Sequence, residues 1–331
     1  MDPFLTVAPV VEPLAPPANR RTRRVSLLGH GVGLPAQAIN NEHFVDALKL
    51  DTTAHWIRSR TGIVERRHAA SDQKTSDLAV LAAEQALARA GLTADQIDVI
   101  IVATSTPDYT MPSTACLVQK RIGAPTATAL DVVNACAGFV FAFDVATRFL
   151  STGMQRALVI GADLGSRLVN FKDRGTCIFF GDGAGAVILG SGGEGRIRST
   201  YLRAEGDARP LNVPVGEAMY MDGRAVWNFA TRVLPETVRE LCREANVAVS
   251  DIKLLVPHQA NTNILAAAAA ELGLPLSRVA INIDRFGNTL AASIPIALHE
   301  ALDQQLADPG DLVALVGFGA GLAWGGVLWQ L

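Results

Sequence analysis

The sequence predicts a duplicated α/β protein, in which two halves built from parallel strands and covering helices stack against each other. Three observations support this prediction. Helical stretches alternate with short apolar strands, a pattern typical of parallel sheets covered by helices. The order of these elements repeats after about 155 residues. The chain of 331 residues is 49% hydrophobic and 18% charged, which provides enough apolar material for an extensive core.

The first half begins with a predicted strand at residues 25–28, where a proline-rich stretch gives way to apolar residues. The later strands of this half are short and apolar, and its helices are rich in alanine and leucine. These further predicted elements are a helix at 76–90, a strand at 97–103, a helix at 114–122, a strand at 128–133, a helix that starts near Cys136, and strands at 157–161 and 186–189.

The second half repeats this order. Its predicted elements are a helix at 231–245, a strand at 252–256, a helix at 263–272, a strand at 279–283, a helix at 289–304 and a strand at 312–316. In open α/β layers, ligands bind beyond the carboxyl ends of the strands. Equivalent strand ends of the two halves should therefore face one common cleft.

The chain is expected to divide into three parts. Residues 1–24 are rich in proline and end in a run of arginines, so they predict a flexible tail. Residues 25–195 form the predicted N-terminal half and residues 196–331 the C-terminal half.

Bulk properties exclude several classes of protein. A net charge of −3 gives no basic field for nucleic acid. The four cysteines are scattered without nearby cysteine or histidine partners, which argues against a zinc site or a disulfide framework and favours a reducing cytoplasm. No apolar run reaches the roughly 18 residues that a membrane span needs. We therefore expect a cytoplasmic protein that binds neither membrane nor nucleic acid.

Cys136 lies at the junction between a predicted strand and a predicted helix. The free N–H groups and the dipole at a helix N-terminus favour an anion, so we expect the pKa of this thiol to be lowered. Small neighbours, Ala135, Ala137 and Gly138, leave room for a substrate. The alternative interpretation is an inert cysteine that packs as a small hydrophobic residue.

His258 and Asn288 occupy strand-end positions in the second half that the duplication places opposite the first half. Each alone could be structural, the histidine in the core and the asparagine in a turn. Together with Cys136 they predict one cleft equipped for covalent acyl transfer, because a thiol can hold an acyl group while an imidazole and an amide handle charge on a second substrate. The glycine-rich loop at residues 317–321 could join the N–H of Cys136 in an oxyanion hole.

Several segments make the chain similar to a known family, the β-ketoacyl-acyl-carrier-protein synthase III enzymes that initiate type II fatty acid synthesis. These segments are DVVNACAGF around Cys136, VPHQAN around His258, GNTLAASIP around Asn288, and also DTTAHWIRSRTGI, DRGTCIFFGDGAGAVIL and GFGAGLAWG. The resemblance runs from about residue 25 to the C-terminus. It implies a thiolase-type fold with five αβαβα layers and a homodimer.

The resemblance also implies an activity, decarboxylative Claisen condensation of an acyl-CoA primer with malonyl-acyl-carrier protein, which needs no cofactor and no metal. It makes Cys136 the acylated nucleophile, His258 and Asn288 the groups that steady the enolate, and the N–H groups of Cys136 and Ala320 the oxyanion hole. The remaining implied roles are CoA contacts for Thr52, Trp56, Arg60 and Arg174, and closure of the partner's acyl pocket for Met111.

Departures from the family pattern keep alternatives open. Asn228 and Asn263 stand where the family has basic residues that meet the acidic carrier protein, so carrier docking would depend on other arginines such as Arg224 or Arg232. One alternative is therefore a related acyltransferase or starter enzyme of secondary metabolism that uses a non-carrier acceptor. A further alternative is a non-catalytic chain-length subunit, which the complete set of Cys, His and Asn disfavours. Another is a cysteine hydrolase, which the duplicated α/β layout disfavours.

Overall fold

A computed structural model describes residues 23–331, so the predicted tail at residues 1–24 lies almost wholly outside the described residues. Its last two residues, Arg23 and Arg24, already belong to the first strand. The guanidinium of Arg23 donates hydrogen bonds to the carboxylate of Asp144 at 2.8 Å and to the hydroxyl of Thr200 at 3.0 Å. The strand therefore starts two residues earlier than predicted, because these polar contacts extend it beyond the apolar run.

The strands and helices follow one another along the chain with few long connections. In the first part of the chain they are β1 (Arg23–Gly33), β2 (Gln37–Asn40), α1 (Asn41–Asp46), α2 (Ala54–Thr61), β3 (Glu65–His68), α3 (Thr75–Ala90), β4 (Val99–Ala103), α4 (Thr114–Ile122), β5 (Thr128–Val132), α5 (Gly138–Ser151), β6 (Arg156–Leu164) and β7 (Asp182–Asp207). The remainder are β8 (Leu211–Asn212), β9 (Tyr220–Met221), α6 (Gly223–Ala245), β10 (Ile252–Pro257), α7 (Thr262–Leu272), α8 (Ile283–Phe286), α9 (Ser293–Asp303), β11 (Leu312–Gly319) and β12 (Gly321–Gln330).

The main strands form two sheets that share β7. Its first part pairs with β6 and β1, and its second part pairs with β12, which leads on to β11 and β10. The pairs β4–β5, β4–β6 and β10–β11 are parallel as predicted. The pairs of β7 with its neighbours, and β11 with β12, are antiparallel, so the expectation of wholly parallel sheets is wrong. Only Ala320 separates β11 from β12, and such a short connection cannot make the crossover that parallel strands require.

The predicted strand at 279–283 is reduced to one parallel bridge between Val279 and Leu255. The helix predicted at 231–245 instead begins at Gly223, since the carboxylate of Asp222 caps it by accepting from the N–H groups of Arg224 and Ala225.

Three apolar cores separate five layers, which confirms the predicted αβαβα fold. Residues of α5 and α9 fill the space between the two sheets, where Phe143 and Trp329 meet with ring centroids 5.2 Å apart. The helices α3 and α4 cover the outer face of the first sheet. The helices α6 and α7 cover the outer face of the second sheet. Among residues 23–331, no helix is both long and apolar enough to cross a bilayer.

The two central helices enter the fold in matching ways. A short 3-10 turn, Ala135–Ala137 or Leu290–Ala292, precedes α5 and α9 respectively. The first residue of each turn has a positive φ, 44° at Ala135 and 48° at Leu290. The structural counterpart of Cys136 is therefore Ala291, and Asn288 lies two residues ahead of the second turn.

Candidate active site

The structure brings the three predicted catalytic side chains to a single cavity. Cys136, His258 and Asn288 all line it, together with Ala320 from the connection between β11 and β12. Cys136 and His258 are buried at its inner end, with 4% and 2% of their surfaces exposed. The remaining wall is mostly apolar. It is formed by residues such as Leu211 and Met221 of β8 and β9, Val226, Trp227 and Phe229 of α6, and Leu168, Phe179, Met219, Ile264 and Leu322.

The thiol of Cys136 is held between its own turn and the end of β11. A Cβ added to Gly319 would lie 2.9 Å from the amide nitrogen of Cys136 and 3.0 Å from its Cβ, so only glycine lets the two segments approach this closely. Burial, and then the negative charge of Asp163, raise the pKa of Cys136 above its ordinary value. The expected lowering of the pKa of Cys136 by the helix terminus is therefore wrong, because desolvation outweighs the dipole.

His258 is neutral, and its hydrogen bonds define which nitrogen carries the proton. Burial lowers the pKa of His258 to about 3. Its Nδ1 lies 2.6 Å from the hydroxyl of Ser293, which itself donates to the carbonyl of Leu290 at 3.0 Å. Because that hydroxyl has only one proton to give, Nδ1 of His258 is the donor and Nε2 keeps a free lone pair.

The side chain of Asn288 is oriented by the turn that follows it. Its Oδ1 accepts a hydrogen bond from the N–H of Leu290 at 2.9 Å. Its backbone is fixed on both sides, since its N–H donates to Phe179 and its carbonyl accepts from Gly181. The amide group Nδ2 is therefore left to donate to a substrate oxygen.

The residues predicted to contact CoA lie apart from the cavity lining. Arg174 stacks on Trp56 with its guanidinium carbon 5.1 Å from the ring centroid, and it donates to the carbonyl of Asp51. A flat ring between two such groups needs about 7 Å, two contacts of about 3.5 Å, so the pair is closed in this structure. The hydroxyl of Thr52 is buried with no hydrogen-bond partner among the described residues, and Arg60 is exposed.

Met111 is also outside the cavity of its own chain. It is 80% exposed in the loop between β4 and α4, and Val133 at the end of the edge strand β5 is 75% exposed. Two large exposed apolar side chains therefore follow the carboxyl ends of the neighbouring parallel strands β4 and β5.

Sequence analysis missed Asp163 and Ser293. Ser293 orients His258, and Asp163 is fully buried beside the site. Ser293 lies within a segment that was recognised for another residue, and Asp163 lies just beyond a predicted strand. Their importance depends on long-range contacts that no local pattern signals.

One cluster has the residue types of a metal site. The ligand atoms of His30, His299 and Asp303 lie within 4.8 Å of one another. The guanidinium of Arg89, however, binds both carboxylate oxygens of Asp303. A metal ion would have to displace this cation, so the contacts favour a hydrogen-bonded network joining β1, α3 and α9.

The five layers, with a cavity at the strand ends of both sheets, define a thiolase-fold enzyme. The model of the 3-oxoacyl-[acyl-carrier-protein] synthase III family matches residues 130–206, and the model of its C-terminal part matches residues 242–331. The β-ketoacyl-[acyl-carrier-protein] synthase III of Symbiobacterium thermophilum is 45% identical over 323 residues, 92% of this chain and 97% of the relative. The chain belongs to this family.

Solved structures agree with this membership. The 3-oxoacyl-[acyl-carrier-protein] synthase III from Aquifex aeolicus VF5 matches with a TM-score of 0.90 at 40% identity, covering 94% of this chain and 100% of that chain. The priming β-ketosynthase from the R1128 polyketide biosynthetic pathway matches with a TM-score of 0.87 at 30% identity, covering 95% of this chain and 99% of that chain.

Proposed function

We propose that this protein condenses an acyl-CoA primer with malonyl-acyl-carrier protein to give 3-oxoacyl-acyl-carrier protein and CO2. The observation that carries the proposal is the meeting of Cys136, His258 and Asn288 in one cavity of a chain that belongs to the synthase III family. The reaction needs no cofactor, because the two thioesters supply the chemistry.

The first half-reaction transfers the acyl group to Cys136. Its sulfur attacks the carbonyl of acyl-CoA as Nε2 of His258 takes the thiol proton in the same step, because burial disfavours a free thiolate before the carbon–sulfur bond forms. The N–H groups of Cys136 and Ala320 hold the oxyanion. The carbon–sulfur bond to CoA then breaks, and the leaving sulfur receives the proton from His258.

The second half-reaction extends the primer. The malonyl carboxylate leaves as CO2, and Nδ2 of Asn288 donates to the enolate oxygen that forms. His258 joins it once its proton has moved to Nε2, a tautomer that Ser293 can match by donating to Nδ1. The enolate carbon attacks the acyl thioester, and Cys136 is released. One proton is taken up, which balances the carboxylate lost as CO2.

A product assay tests this reaction. Acetyl-CoA, malonyl-acyl-carrier protein and purified enzyme should release CO2 and form acetoacetyl-acyl-carrier protein. Replacement of Cys136 by alanine should abolish condensation, whereas the same replacement at Cys116, which is half-buried and outside the cavity lining, should leave it intact. Condensation that survives in the Cys136→Ala variant would overturn the proposal.

A second candidate is acyl transfer in a specialised pathway to an acceptor other than a carrier protein. The observation that favours it is that Asn228 and Asn263 stand where the family has basic residues. The amide of Asn263 donates to the carbonyl of Arg60 at 3.1 Å, so this side chain is used within the chain. Arg224, exposed beside the cavity-lining Gly223, is the cation placed to meet a carrier. Binding of malonyl-acyl-carrier protein at micromolar concentration, weakened by Arg224→Glu, would favour condensation. No binding would favour the alternative.

We also propose a homodimer in which Met111 completes the acyl pocket of the partner subunit. Its 80% exposure supports this, as does that of Val133 after the adjacent strand β5, because large apolar side chains are expected to be covered. Light scattering should give twice the chain mass of 35.0 kDa. The Met111→Trp variant should then accept shorter primers than the wild type. A monomer, or an unchanged primer range, would contradict this arrangement.

The adenine-binding site and the location of the protein in the cell are also proposals. Adenine of CoA would bind where Trp56 and Arg174 now stack, with Thr52 and Arg60 nearby, once Arg174 swings aside. The four free cysteines support a location in a reducing cytoplasm.

A further inference from the structure

Asp163, the penultimate residue of β6, is a fully buried carboxylate with no charged partner. Its Oδ1 accepts hydrogen bonds from the N–H of Ser105 at 2.7 Å and from the hydroxyls of Thr106 at 3.1 Å and Thr104 at 3.2 Å. Its Oδ2 accepts from the N–H of Ala291 at 3.0 Å. None of these donors is charged. A buried negative charge held only by neutral donors is costly, and this calls for an explanation.

The two oxygens join parts of the site that come from opposite halves of the chain. Oδ1 holds the loop after β4, where Ser105 lines the cavity. Oδ2 holds the turn Leu290–Ala292 through Ala291. The same turn orients the catalytic pair, because the N–H of Leu290 fixes Asn288 and its carbonyl fixes Ser293, which in turn fixes His258.

The carboxylate also acts on the nucleophile. Its charge raises the pKa of Cys136. The loop at 104–106 and the turn at 290–292 carry no ionisable side chain, and the ionisable residue in the part of β7 that pairs with β6 is Asp182, opposite Leu164. Desolvation raises the pKa of Asp163 itself to about 6. His258, with a pKa of about 3, does not titrate in the same range.

We propose that Asp163 is a positioning residue of the condensation site, whose carboxylate ties the turn that orients Asn288 and His258 to the loop after β4 and whose charge lies next to the cavity that holds the thiol of Cys136. This inference rests on the proposed function for its consequence in turnover. Its effect on the thiol can be measured without any turnover.

The Asp163→Asn variant separates the two oxygens. Its amide oxygen can still accept from the three donors after β4, but its NH2 group then faces the N–H of Ala291, and the charge is gone. The matched control is Asp144→Asn, because Asp144 is another buried carboxylate, on α5, that is bound instead by Arg23 and Arg148. Folding of both variants is checked by thermal unfolding.

The first readout is the rate at which iodoacetamide alkylates Cys136, followed by peptide mapping from pH 5 to pH 9. Asp163→Asn should alkylate at least tenfold faster than wild type at pH 7, and Asp144→Asn should match the wild type. The second readout is condensation, where Asp163→Asn should lose 10-fold or more in kcat with less than a threefold change in the KM for acyl-CoA.

Wild-type protein supplies a test that needs no variant. As Asp163 loses its proton near pH 6, its charge raises the pKa of Cys136. The logarithm of the alkylation rate should therefore rise by less than one unit per pH unit, whereas for an isolated thiol this logarithm rises by one unit per pH unit. A slope of one, or equal alkylation of Asp163→Asn and wild type, would overturn the inference. If condensation is absent from wild type while the alkylation results hold, the proposed function fails and the influence of Asp163 on the thiol stands.

Discussion

Replacement of Gly319 by alanine is the most direct test of how closely the candidate oxyanion hole is packed. The new methyl group would lie 2.9 Å from the amide nitrogen of Cys136 and 3.0 Å from its Cβ. Ordinary contacts begin near 3.5 Å, so Cys136 or the end of β11 has to retreat by roughly 0.5 Å. Both proposed donors move with these segments, because Ala320 follows Gly319 directly.

The expected loss follows from what that displacement removes. Loss of one oxyanion-hole donor costs about 10²- to 10³-fold in rate, or about 2.7–4 kcal/mol of transition-state stabilisation. We expect Gly319→Ala to acylate Cys136 within this range of reduction. Binding of acyl-CoA should change little, since the apolar wall from β8, β9 and α6 is untouched.

The assay is single-turnover acylation by acetyl-CoA, followed by the mass of the intact protein. The control is Gly206→Ala, because a Cβ at Gly206 in β7 would have no atom within 4 Å. An acylation rate for Gly319→Ala within threefold of the control would refute the reasoning, as it would show that the hole tolerates the methyl group.

Three further predictions follow from other contacts. Ser293→Ala should lower kcat roughly 10- to 100-fold and flatten its pH profile, because the proton on His258 is no longer held at Nδ1. Burial lowers the pKa of His30 from 6.5 to about 4, and burial also lowers the pKa of its partner His299. The free energy of unfolding should therefore fall as the pH falls from about 6.5 towards 4. His30→Gln should reduce this pH dependence in urea titrations. Phe143→Ala should destabilise the fold by about 3–5 kcal/mol in denaturant titrations, since it leaves a cavity in the apolar layer between the sheets.

Matched variants give each of these predictions a control. Ser199→Ala removes a buried hydroxyl bonded to Leu241 and should leave kcat unchanged. His55→Gln changes an exposed histidine and should keep the full pH dependence of unfolding. Leu81→Ala, at a side chain that is 46% exposed, should lower the free energy of unfolding by much less than Phe143→Ala does. Equal effects in a variant and its control would contradict the corresponding prediction.

The duplication allowed the cavity to be predicted from sequence. The repeated order of strands and helices is why Cys136 and Asn288 could be assigned to one cleft, and the two turns at Ala135 and Leu290 have matching backbone conformations in the structure. The sheet directions were only partly predictable. The alternation of helices and strands signalled β4, β5 and β6 correctly, but nothing local distinguishes β12 as antiparallel until the short connection at Ala320 is considered.

Contacts between distant parts of the chain explain what could not be predicted. The pKa of Cys136 depends on burial and on Asp163, 27 positions later, and neither is visible in a local pattern. The stacking of Trp56 on Arg174 depends on a side-chain rotamer rather than on residue type. Ser293 lies in a recognised motif, yet its bond to His258 spans 35 positions.

The shared strand β7 makes the two halves a single cooperative unit. It contributes hydrogen bonds to both sheets over 26 residues, and β1 pairs with each of its parts. A fragment ending near residue 195 would keep the β6–β7 pairing but lose Trp329 and α9 from the apolar layer between the sheets, and a fragment starting there would lose Phe143 and α5 from the same layer. The repeat that is visible in the sequence is therefore not a pair of modules that can be exchanged or expressed separately. Strain introduced in one sheet can reach the other along an unbroken backbone.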